Sequence, residues 1–226
     1  MSQPVTPKDG VGVLHLFGRV DPELEPSNLV LAIEKAQLNG AQVIPVAVLG
    51  HKADLALMVI CEDLWVLRDC QTGVALSGVK IVDSYLSLTE ISEYAIGISE
   101  EMKEARLYPQ LPPAGKPAWC FYPMSKRRGE SNNWFTLPFE ERSELMREHG
   151  FSGRAFSGRI VQLITASTGI DDFEWGVTLF GQRPDDLKDV VYSMRYDRAS
   201  AVYAEFGPFY MGLVSTLEEI LQRLGH

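Results

Sequence analysis

The chain has 226 residues, of which 46% are apolar and 23% are charged. This balance is typical of globular proteins and excludes a long disordered or collagen-like chain. The formal net charge is −9, which disfavours general binding to nucleic acid or to an anionic membrane, because that affinity depends on basic charge. An anionic ligand would therefore need a local basic cluster.

The first 108 residues predict the order strand, helix, strand, strand, helix, strand. Apolar residues spaced by three and four positions indicate the helices, and short apolar runs bounded by glycine or aspartate indicate the strands. The predicted strands are Val11–Val20, Val43–Leu49, Ala56–Cys61 and Val79–Leu86, and the predicted helices are Pro26–Asn39 and Leu64–Leu76. A further helix is expected over Glu90–Leu107.

Residues 109–117 contain four prolines and a glycine. Because proline cannot donate to a β-ladder or sit inside a helix, this segment is predicted to be a linker. The chain is thus expected to divide into an N-terminal domain, residues 1–108, and a C-terminal domain, residues 118–226.

The second half predicts the same order of elements. Its expected strands are Ala118–Tyr122, Arg159–Thr165, Phe173–Phe180 and Phe206–Val214, and its expected helices are Pro138–His149, Pro184–Met194 and Thr216–Leu224. Gly150 is expected to end the first of these helices. Two βαββαβ units in tandem predict an α+β fold of two ferredoxin-like domains.

Three cysteines, an odd number with no CxxC spacing, predict no disulfide framework and fit a reducing cytosol. The N-terminus lacks a signal-peptide pattern and no apolar run reaches 18 residues, so a soluble cytoplasmic protein is expected. The glycine-rich nucleotide-binding motifs, the HExxH zinc motif and the GxSxG hydrolase motif are absent.

The densest chemistry lies in Trp119–Arg128, where an aromatic strand runs into three adjacent cations, Lys126–Arg128. One interpretation is a strand end that offers the Tyr122 phenol beside a clamp for an anion. The other is a solvated turn after a buried strand. The residues by themselves leave both open.

His149 follows an apolar stripe on one face of a predicted helix, with Arg142, Leu145 and Met146 at three- and four-residue spacings. A protonated imidazole there could cap the C-terminus of the helix. A neutral imidazole could instead bind iron, provided that a neighbouring group accepts from its other nitrogen.

Two further polar positions have alternative interpretations. Gln162 alternates with Ile160 and Ile164 on an expected inner face, where an amide needs a hydrogen-bond partner from the protein or from a ligand. Arg195 and Ser200 follow a predicted helix and could cap it or bind an anion.

Residues 106–212 resemble the chlorite dismutase family, and within it the branch that decarboxylates iron-coproporphyrin. The stretches that carry the resemblance are Arg106–Pro112, Cys120–Arg128, Asn133–Pro138, Leu145–Gly150, Ser167–Asp172, Glu174–Phe180, Met194–Asp197 and Glu205–Gly207. The first hundred residues match only in the order of their elements. The resemblance implies two ferredoxin-like domains whose sheets form a β-barrel of the dimeric α/β-barrel superfamily, assembled as a homopentamer.

The resemblance also implies a reaction. Hydrogen peroxide would drive the stepwise oxidative decarboxylation of two propionates of iron-coproporphyrin III (coproheme), giving haem b. Coproheme and haem would be the ligands, and coproporphyrin ferrochelatase a possible transient partner. The alternatives are chlorite decomposition, as in other family members, and a haem carrier or sensor without turnover.

The resemblance assigns roles residue by residue. His149 matches the proximal iron ligand, Tyr122 the tyrosine that forms a radical, and Lys126 the lysine near the second reacting propionate. Gln162 matches the distal residue above the iron, where chlorite-decomposing members carry arginine, so the neutral amide favours the decarboxylating branch. The positions that match residues lining or binding the propionates are Arg106, Met124, Arg195 and Ser200.

Overall fold

The computed structural model describes residues 3–226 as an α+β fold. The first half contains β1 (Gly12–Val20), α1 (Pro26–Leu38), β2 (Gln42–Leu49), β3 (Leu55–Cys61), α2 (Leu64–Leu76), β4 (Val79–Thr89) and α3 (Glu100–Leu107). The second half contains β5 (Ala118–Lys126), α4 (Phe139–Arg154), β6 (Ile160–Ala166), β7 (Trp175–Gly181), α5 (Pro184–Met194), α6 (Arg198–Ala201), β8 (Ala204–Phe206), β9 (Tyr210–Val214) and α7 (Leu217–Leu224). A short 3-10 helix covers Trp134–Thr136.

The strand order confirms the ferredoxin-like prediction for both halves. All pairings between the strands are antiparallel, and the first half has the order β4-β1-β3-β2. The second half has the corresponding order β9-β5-β7-β6. Each half therefore places its two crossing helices on one face of its sheet, as expected for a βαββαβ unit.

Two pairings between the halves close the sheet on itself. Strand β4 pairs with β6 through Leu88 and Ala166, and β2 pairs with β9 through Val46 and Val214. Since β5 pairs with both β7 and β9, the hydrogen bonds return to their starting strand after eight strands. The ninth strand, β8, pairs only with the end of β5. Closure of this kind removes free sheet edges and gives the sheet an inside and an outside.

The inside of the closed sheet is filled with aromatic side chains. Phe17, Trp119, Phe121 and Phe180 are each at most 1% exposed and belong to one buried cluster. The outside of the second half packs against α5 through a separate apolar cluster, to which Tyr122 belongs. Neighbouring residues of β5 therefore point into different cores.

Two predicted helix boundaries are wrong. The helix expected over Glu90–Leu107 begins only at Glu100, because the Ser99 side chain accepts a hydrogen bond from the Met102 amide and caps the helix there. The helix expected to end at Gly150 continues to Arg154. Gly150 has no positive φ, so it supplies no left-handed turn and the helix passes through it.

The last predicted strand is also different in the structure. Phe206–Val214 is interrupted by residues 207–209, which leave two short strands. Pro208 has no amide hydrogen to donate, which prevents a continuous ladder at that position. The first strand of this half runs longer than predicted, to Lys126.

The proline-rich segment contains no helix or strand and is fastened to β2. Gln42 donates through Nε2 to the Pro109 carbonyl oxygen at 2.8 Å and accepts at Oε1 from the Leu111 amide at 2.9 Å. The division into domains on either side of it remains a prediction. The three cysteines are free and buried. Within residues 3–226 no helix is long and apolar enough to cross a bilayer.

We expect Gly212→Ala to destabilise the protein, because a Cβ there would lie 2.5 Å from the Ala47 carbonyl oxygen and from Val46 Cγ1, where β9 closes the sheet on β2. The free energy of unfolding should fall by about 1–3 kcal/mol in urea denaturation. Gly150→Ala is the matched control, since nothing lies within 4 Å of its Cβ position, and it should raise stability by about 0.5–1 kcal/mol. Equal effects of the two variants would contradict the closure argument.

Candidate functional site

Strand β5 presents three of the predicted site residues on its outer face. Tyr122 is 5% exposed, Met124 packs on the same outer cluster, and Lys126 is 7% exposed. Because side chains alternate along a strand, these three point the same way at intervals of about 6.7 Å. Phe121, the residue before Tyr122, points into the barrel.

Gln162 stands on the same outer face, two strands away. It pairs with Leu179 of β7, and Leu179 pairs in turn with Cys120 of β5. Tyr122 lies one row further along β5, in register with Val177. With neighbouring strands about 4.8 Å apart, Gln162 and Tyr122 flank a common surface about 10 Å wide.

The prediction that Gln162 lies on an inner face is wrong. The interior of the barrel takes the alternate residues of β6, among them Leu163, which is 6% exposed. Gln162 and Ile164 are on the outside, where Ile164 remains 44% exposed. The sequence alternates between two apolar faces, and only closure of the sheet determines which is enclosed. The amide of Gln162 is therefore open to a ligand or to solvent.

His149 makes a hydrogen bond that fixes its tautomer. Its Nδ1 lies 3.0 Å from Oδ2 of Asp197 and 3.3 Å from Oγ of Ser200. The carboxylate can only accept, so Nδ1 carries a hydrogen, and in the neutral imidazole the lone pair is on Nε2. Since α4 continues five residues beyond it, His149 is not a C-terminal cap. An imidazole arranged in this way can bind a metal through Nε2.

Asp197 is held as a carboxylate in a nearly closed environment. It is 3% exposed and accepts from the Ser200 amide at 2.9 Å, which caps α6. Burial raises the pKa of Asp197, but the hydrogen bonds from His149 and Ser200 outweigh burial and lower it overall. Arg198 binds Glu148 at 2.9 Å and so fastens α6 to the helix that carries His149.

The Lys126 side chain extends towards α6 and contacts its backbone. Its Nζ donates to the Ala199 carbonyl oxygen at 2.8 Å and lies 4.4 Å from the centroid of the Trp134 ring. Burial lowers the pKa of this lysine to about 8, against the opposing charges of Asp197 and Glu174. An amine in this position is still largely charged at neutral pH.

The three adjacent cations have separate surroundings. Lys126 is buried, the Arg127 guanidinium lies 3.4 Å from Glu205, and Arg128 is exposed. They therefore do not form the joint clamp that the sequence suggested. Side-chain alternation in the extended chain sends neighbouring cations in different directions.

The Tyr122 ring is enclosed by two phenylalanines. Phe209 stacks on it with ring centroids 4.5 Å apart, and Phe206 meets it edge-on at 5.6 Å. The Arg195 guanidinium covers the Phe206 ring at 4.5 Å. Burial raises the pKa of Tyr122 far above its usual range, against a smaller opposing effect of Arg195. The phenol is therefore protonated at neutral pH.

Arg195, Ser200 and Arg106 differ in how they relate to this cluster. Ser200 lies in α6 with its Oγ 3.3 Å from His149 Nδ1, whereas Arg195 follows α5 and covers the Phe206 ring. Arg106 is exposed in the last turn of α3. Within residues 3–226 no hydrogen bond or ion pair joins Arg106 to another predicted site residue. The structure thus joins His149 to Ser200 and Lys126 to α6, and among residues 3–226 it shows no such contact for Arg106.

Several residues of the site were missed from the sequence. Asp197 had a signal, because an aspartate three residues before Ser200 is a typical helix N-cap spacing. Phe209 against Tyr122 had none, since that contact joins distant parts of the chain. Trp134 is near Lys126 in the sequence, but no pattern shows that the chain turns back to place its ring against the ammonium group.

Similarity to known proteins extends over most of the chain. The chlorite dismutase family profile matches residues 27–215. A coproheme decarboxylase from Staphylococcus carnosus (strain TM300) is 40% identical over 242 aligned positions, which cover 95% of each chain. A haem-binding protein from Thermus thermophilus superimposes with a TM-score of 0.87 at 32% identity over all of both chains. A chlorite dismutase from Candidatus Nitrospira defluvii, in complex with imidazole, superimposes with a TM-score of 0.77 at 20% identity over 97% of both chains, a likeness of fold.

The buried Lys126 should give the protein a distinct pH dependence of stability. Its pKa is about 8 in the folded state and 10.5 for an ordinary lysine, so between these values the unfolded chain binds more protons. The free energy of unfolding should therefore rise across this window, by on the order of 3 kcal/mol, relative to a Lys126→Met variant. Urea denaturation between pH 7 and 10 measures it.

Lys188→Met is the control for that titration, since the Lys188 side chain is 76% exposed. It should reproduce the wild-type pH profile. A Lys126→Met profile parallel to wild type would contradict the burial of the charge.

Proposed function

This chain belongs to the chlorite dismutase family, and we propose that it catalyses the peroxide-dependent oxidative decarboxylation of iron-coproporphyrin III to haem b. The observation that carries the proposal is the pairing of His149 with buried Asp197 beside the sheet face that bears Tyr122. The 40% identity to the coproheme decarboxylase of Staphylococcus carnosus supports the same reaction.

The outer face of the C-terminal sheet suits an apolar macrocycle with acidic substituents. Ile164 offers exposed apolar surface next to Gln162. The substrate carries four carboxylates, whereas the protein as a whole is acidic. Among residues 3–226 neither Arg195 nor Arg106 forms an ion pair, so both guanidinium groups are available for charge-assisted hydrogen bonds to propionates. Ser200 and Met124 complete the proposed lining.

His149 is proposed to bind the substrate iron through Nε2. The hydrogen bond from Nδ1 to Asp197 sets the ring orientation and increases the basicity of the ligand nitrogen. Gln162 is proposed to lie on the opposite side of the macrocycle, where its neutral amide can hydrogen-bond to peroxide. The absence of arginine at that position supports decarboxylation over chlorite chemistry, which in this family uses a cation there.

Each turnover must balance as a two-electron oxidation. One propionic acid side chain loses two electrons and two protons and becomes a vinyl group and carbon dioxide. Hydrogen peroxide gains them and becomes two molecules of water. Tyr122 is proposed to give up a hydrogen atom to the peroxide-oxidised substrate and to regain one from the propionate side chain. The side-chain radical would then give its second electron to the oxidised porphyrin, and its carboxyl group would lose a proton and leave as carbon dioxide. The porphyrin and its iron supply the redox chemistry, and the protein supplies position and field.

Lys126 is proposed as the cation near the second reacting propionate. It shares the outer face with Tyr122 and contacts α6 at Ala199, next to Ser200. A homopentamer, a cytoplasmic location and a transient contact with coproporphyrin ferrochelatase also belong to the proposal. They rest on the family resemblance.

Tyr122→Phe tests the reaction directly. The variant keeps the ring stacked on Phe209 but has no hydroxyl to lose hydrogen, so coproheme should bind with a dissociation constant within about twofold and decarboxylation should cease. Soret titration measures binding, and mass spectrometry after peroxide addition counts the lost carboxyl groups. Tyr192→Phe, which removes an exposed hydroxyl from α5, should retain activity.

Two results would refute parts of this proposal. Full activity of Tyr122→Phe would remove the phenol from the reaction. Absence of any mass loss in the wild-type protein at saturating peroxide would refute decarboxylation and favour a haem carrier.

Asp197→Ala should weaken the bond from His149 to iron, because the imidazole loses the acceptor that sets its tautomer. We expect the affinity for iron-coproporphyrin to fall by about 10- to 100-fold, measured by Soret titration. Metal-free coproporphyrin should bind the variant as it binds wild type. A parallel loss for both porphyrins would indicate damage to the cavity rather than to iron binding.

A further inference from the structure

The interruption between β8 and β9 is a β-bulge with a defined register. Phe206 pairs with Met124 of β5, whereas Tyr210 pairs with Phe121. Three residue steps on β5 are thus opposed by four steps on the partner segment. One extra residue is inserted, and it falls between Phe206 and Tyr210.

The extra residue changes the direction of one side chain. Phe206 and Phe209 are three positions apart, so in a regular strand they would point to opposite faces of the sheet. With the bulge between them, both rings reach the outer face and contact Tyr122, at 5.6 Å and 4.5 Å between centroids. The next residue, Tyr210, points into the barrel and stacks on Phe17 at 3.7 Å.

Close packing fixes the bulge in place. The Gly207 amide donates to the Pro123 carbonyl oxygen at 2.8 Å, immediately beyond Tyr122. A Cβ at Gly207 would lie 2.6 Å from the Phe173 ring and 2.7 Å from the Pro123 ring. The backbone can approach β5 this closely only because the residue has no side chain.

The N-terminal half also holds this segment. Lys52, in the turn between β2 and β3, donates through Nζ to the Phe209 carbonyl oxygen at 2.6 Å. The same ammonium lies 5.4 Å from the centroid of the Tyr210 ring. Tyr210 in turn donates to Asp83 of β4 at 2.5 Å. The position of Phe209 therefore depends on both halves of the chain.

We infer that the bulge is a device for positioning the Tyr122 phenol: Phe209 is a positioning residue that fixes the Tyr122 ring, and Lys52 acts on Tyr122 through Phe209. The inference rests on the proposed role of Tyr122. The stacked ring restricts rotation of the phenol and keeps water from one of its faces. A hydrogen-atom transfer depends steeply on the distance between the reacting atoms, so a ring free to turn reacts more slowly.

Phe209→Leu in the full-length protein is the main test. It removes the stacked ring and keeps an apolar side chain, so the dissociation constant for coproheme should stay within about twofold. The single-turnover rate of decarboxylation should fall by about ten- to a hundredfold. The electron paramagnetic resonance signal of the tyrosyl radical, trapped after peroxide addition, should broaden because the ring takes several orientations. Phe209→Tyr keeps the stacked ring and should restore both rate and line shape.

Phe139→Leu is the matched control. Phe139 lies on α4, the helix that also carries His149, and stacks on Tyr94 with ring centroids 5.8 Å apart and ring planes 16° apart. The variant removes an equivalent tyrosine–phenylalanine stack outside the site and should leave the decarboxylation rate unchanged. An equal loss of rate in Phe139→Leu and Phe209→Leu would overturn the inference. So would a Phe209→Leu rate within twofold of wild type.

Lys52→Met keeps the inference testable if Phe209→Leu does not fold. Lys52 is exposed, so the variant should fold, and its decarboxylation rate should fall about threefold as Phe209 loosens. Lys80→Met, an exposed lysine of β4, should match wild type. If Lys52→Met and Lys80→Met have equal decarboxylation rates, the role assigned to Lys52 is overturned. If Phe209→Leu also fails to fold, this equality overturns the whole inference.

The result for Tyr122→Phe separates the two proposals. If Tyr122→Phe is inactive and Phe209→Leu is fully active, the positioning inference fails and the proposed function stands. If Tyr122→Phe is active, the role of the phenol fails, and the positioning inference fails with it.

Discussion

Closure of the sheet is the constraint on which the rest of this structure depends. Backbone pairing between β4 and β6 and between β2 and β9 joins the two halves into one ring of strands. Each of the eight strands in this ring therefore has an enclosed face and an open face, and the surroundings of a side chain depend on which face it occupies. Phe121 becomes part of a buried aromatic interior, while its neighbour Tyr122 faces the helices of the second half.

The His149–Asp197 pair shows a second constraint, the cost of burying charge. A carboxylate that is 3% exposed must be fully hydrogen-bonded, and here the imidazole, the Ser200 amide and the Ser200 hydroxyl supply the donors. The same bonds fix the tautomer of His149. The same hydrogen bonds therefore stabilise the buried carboxylate and orient the imidazole for a metal. The Arg198–Glu148 ion pair holds α6 against α4 and so keeps Asp197 next to His149.

Much of the fold was accessible from the sequence. Apolar periodicity located the helices of both βαββαβ units, and the order of elements predicted ferredoxin-like domains. The stretch Cys120–Arg128 pointed to the strand that carries Tyr122 and Lys126. Periodicity did not predict the helix through Gly150, because glycine ends a helix only when the backbone adopts a left-handed turn. The backbone conformation of Gly150 depends on the packing of the residues around it, which periodicity does not reveal.

The amino-acid sequence by itself determined the alternation along each strand, the apolar stripes of the helices, the family, and the residue types available for chemistry. The tertiary structure alone decided which face of β6 is enclosed, that Asp197 meets His149, and that an extra residue turns Phe209 towards Tyr122. The physical reason is that periodicity is a local property, whereas facing, pairing and register depend on contacts between segments far apart in the chain. A single inserted residue reverses a side chain's direction, and only the partner strand shows where it is accommodated.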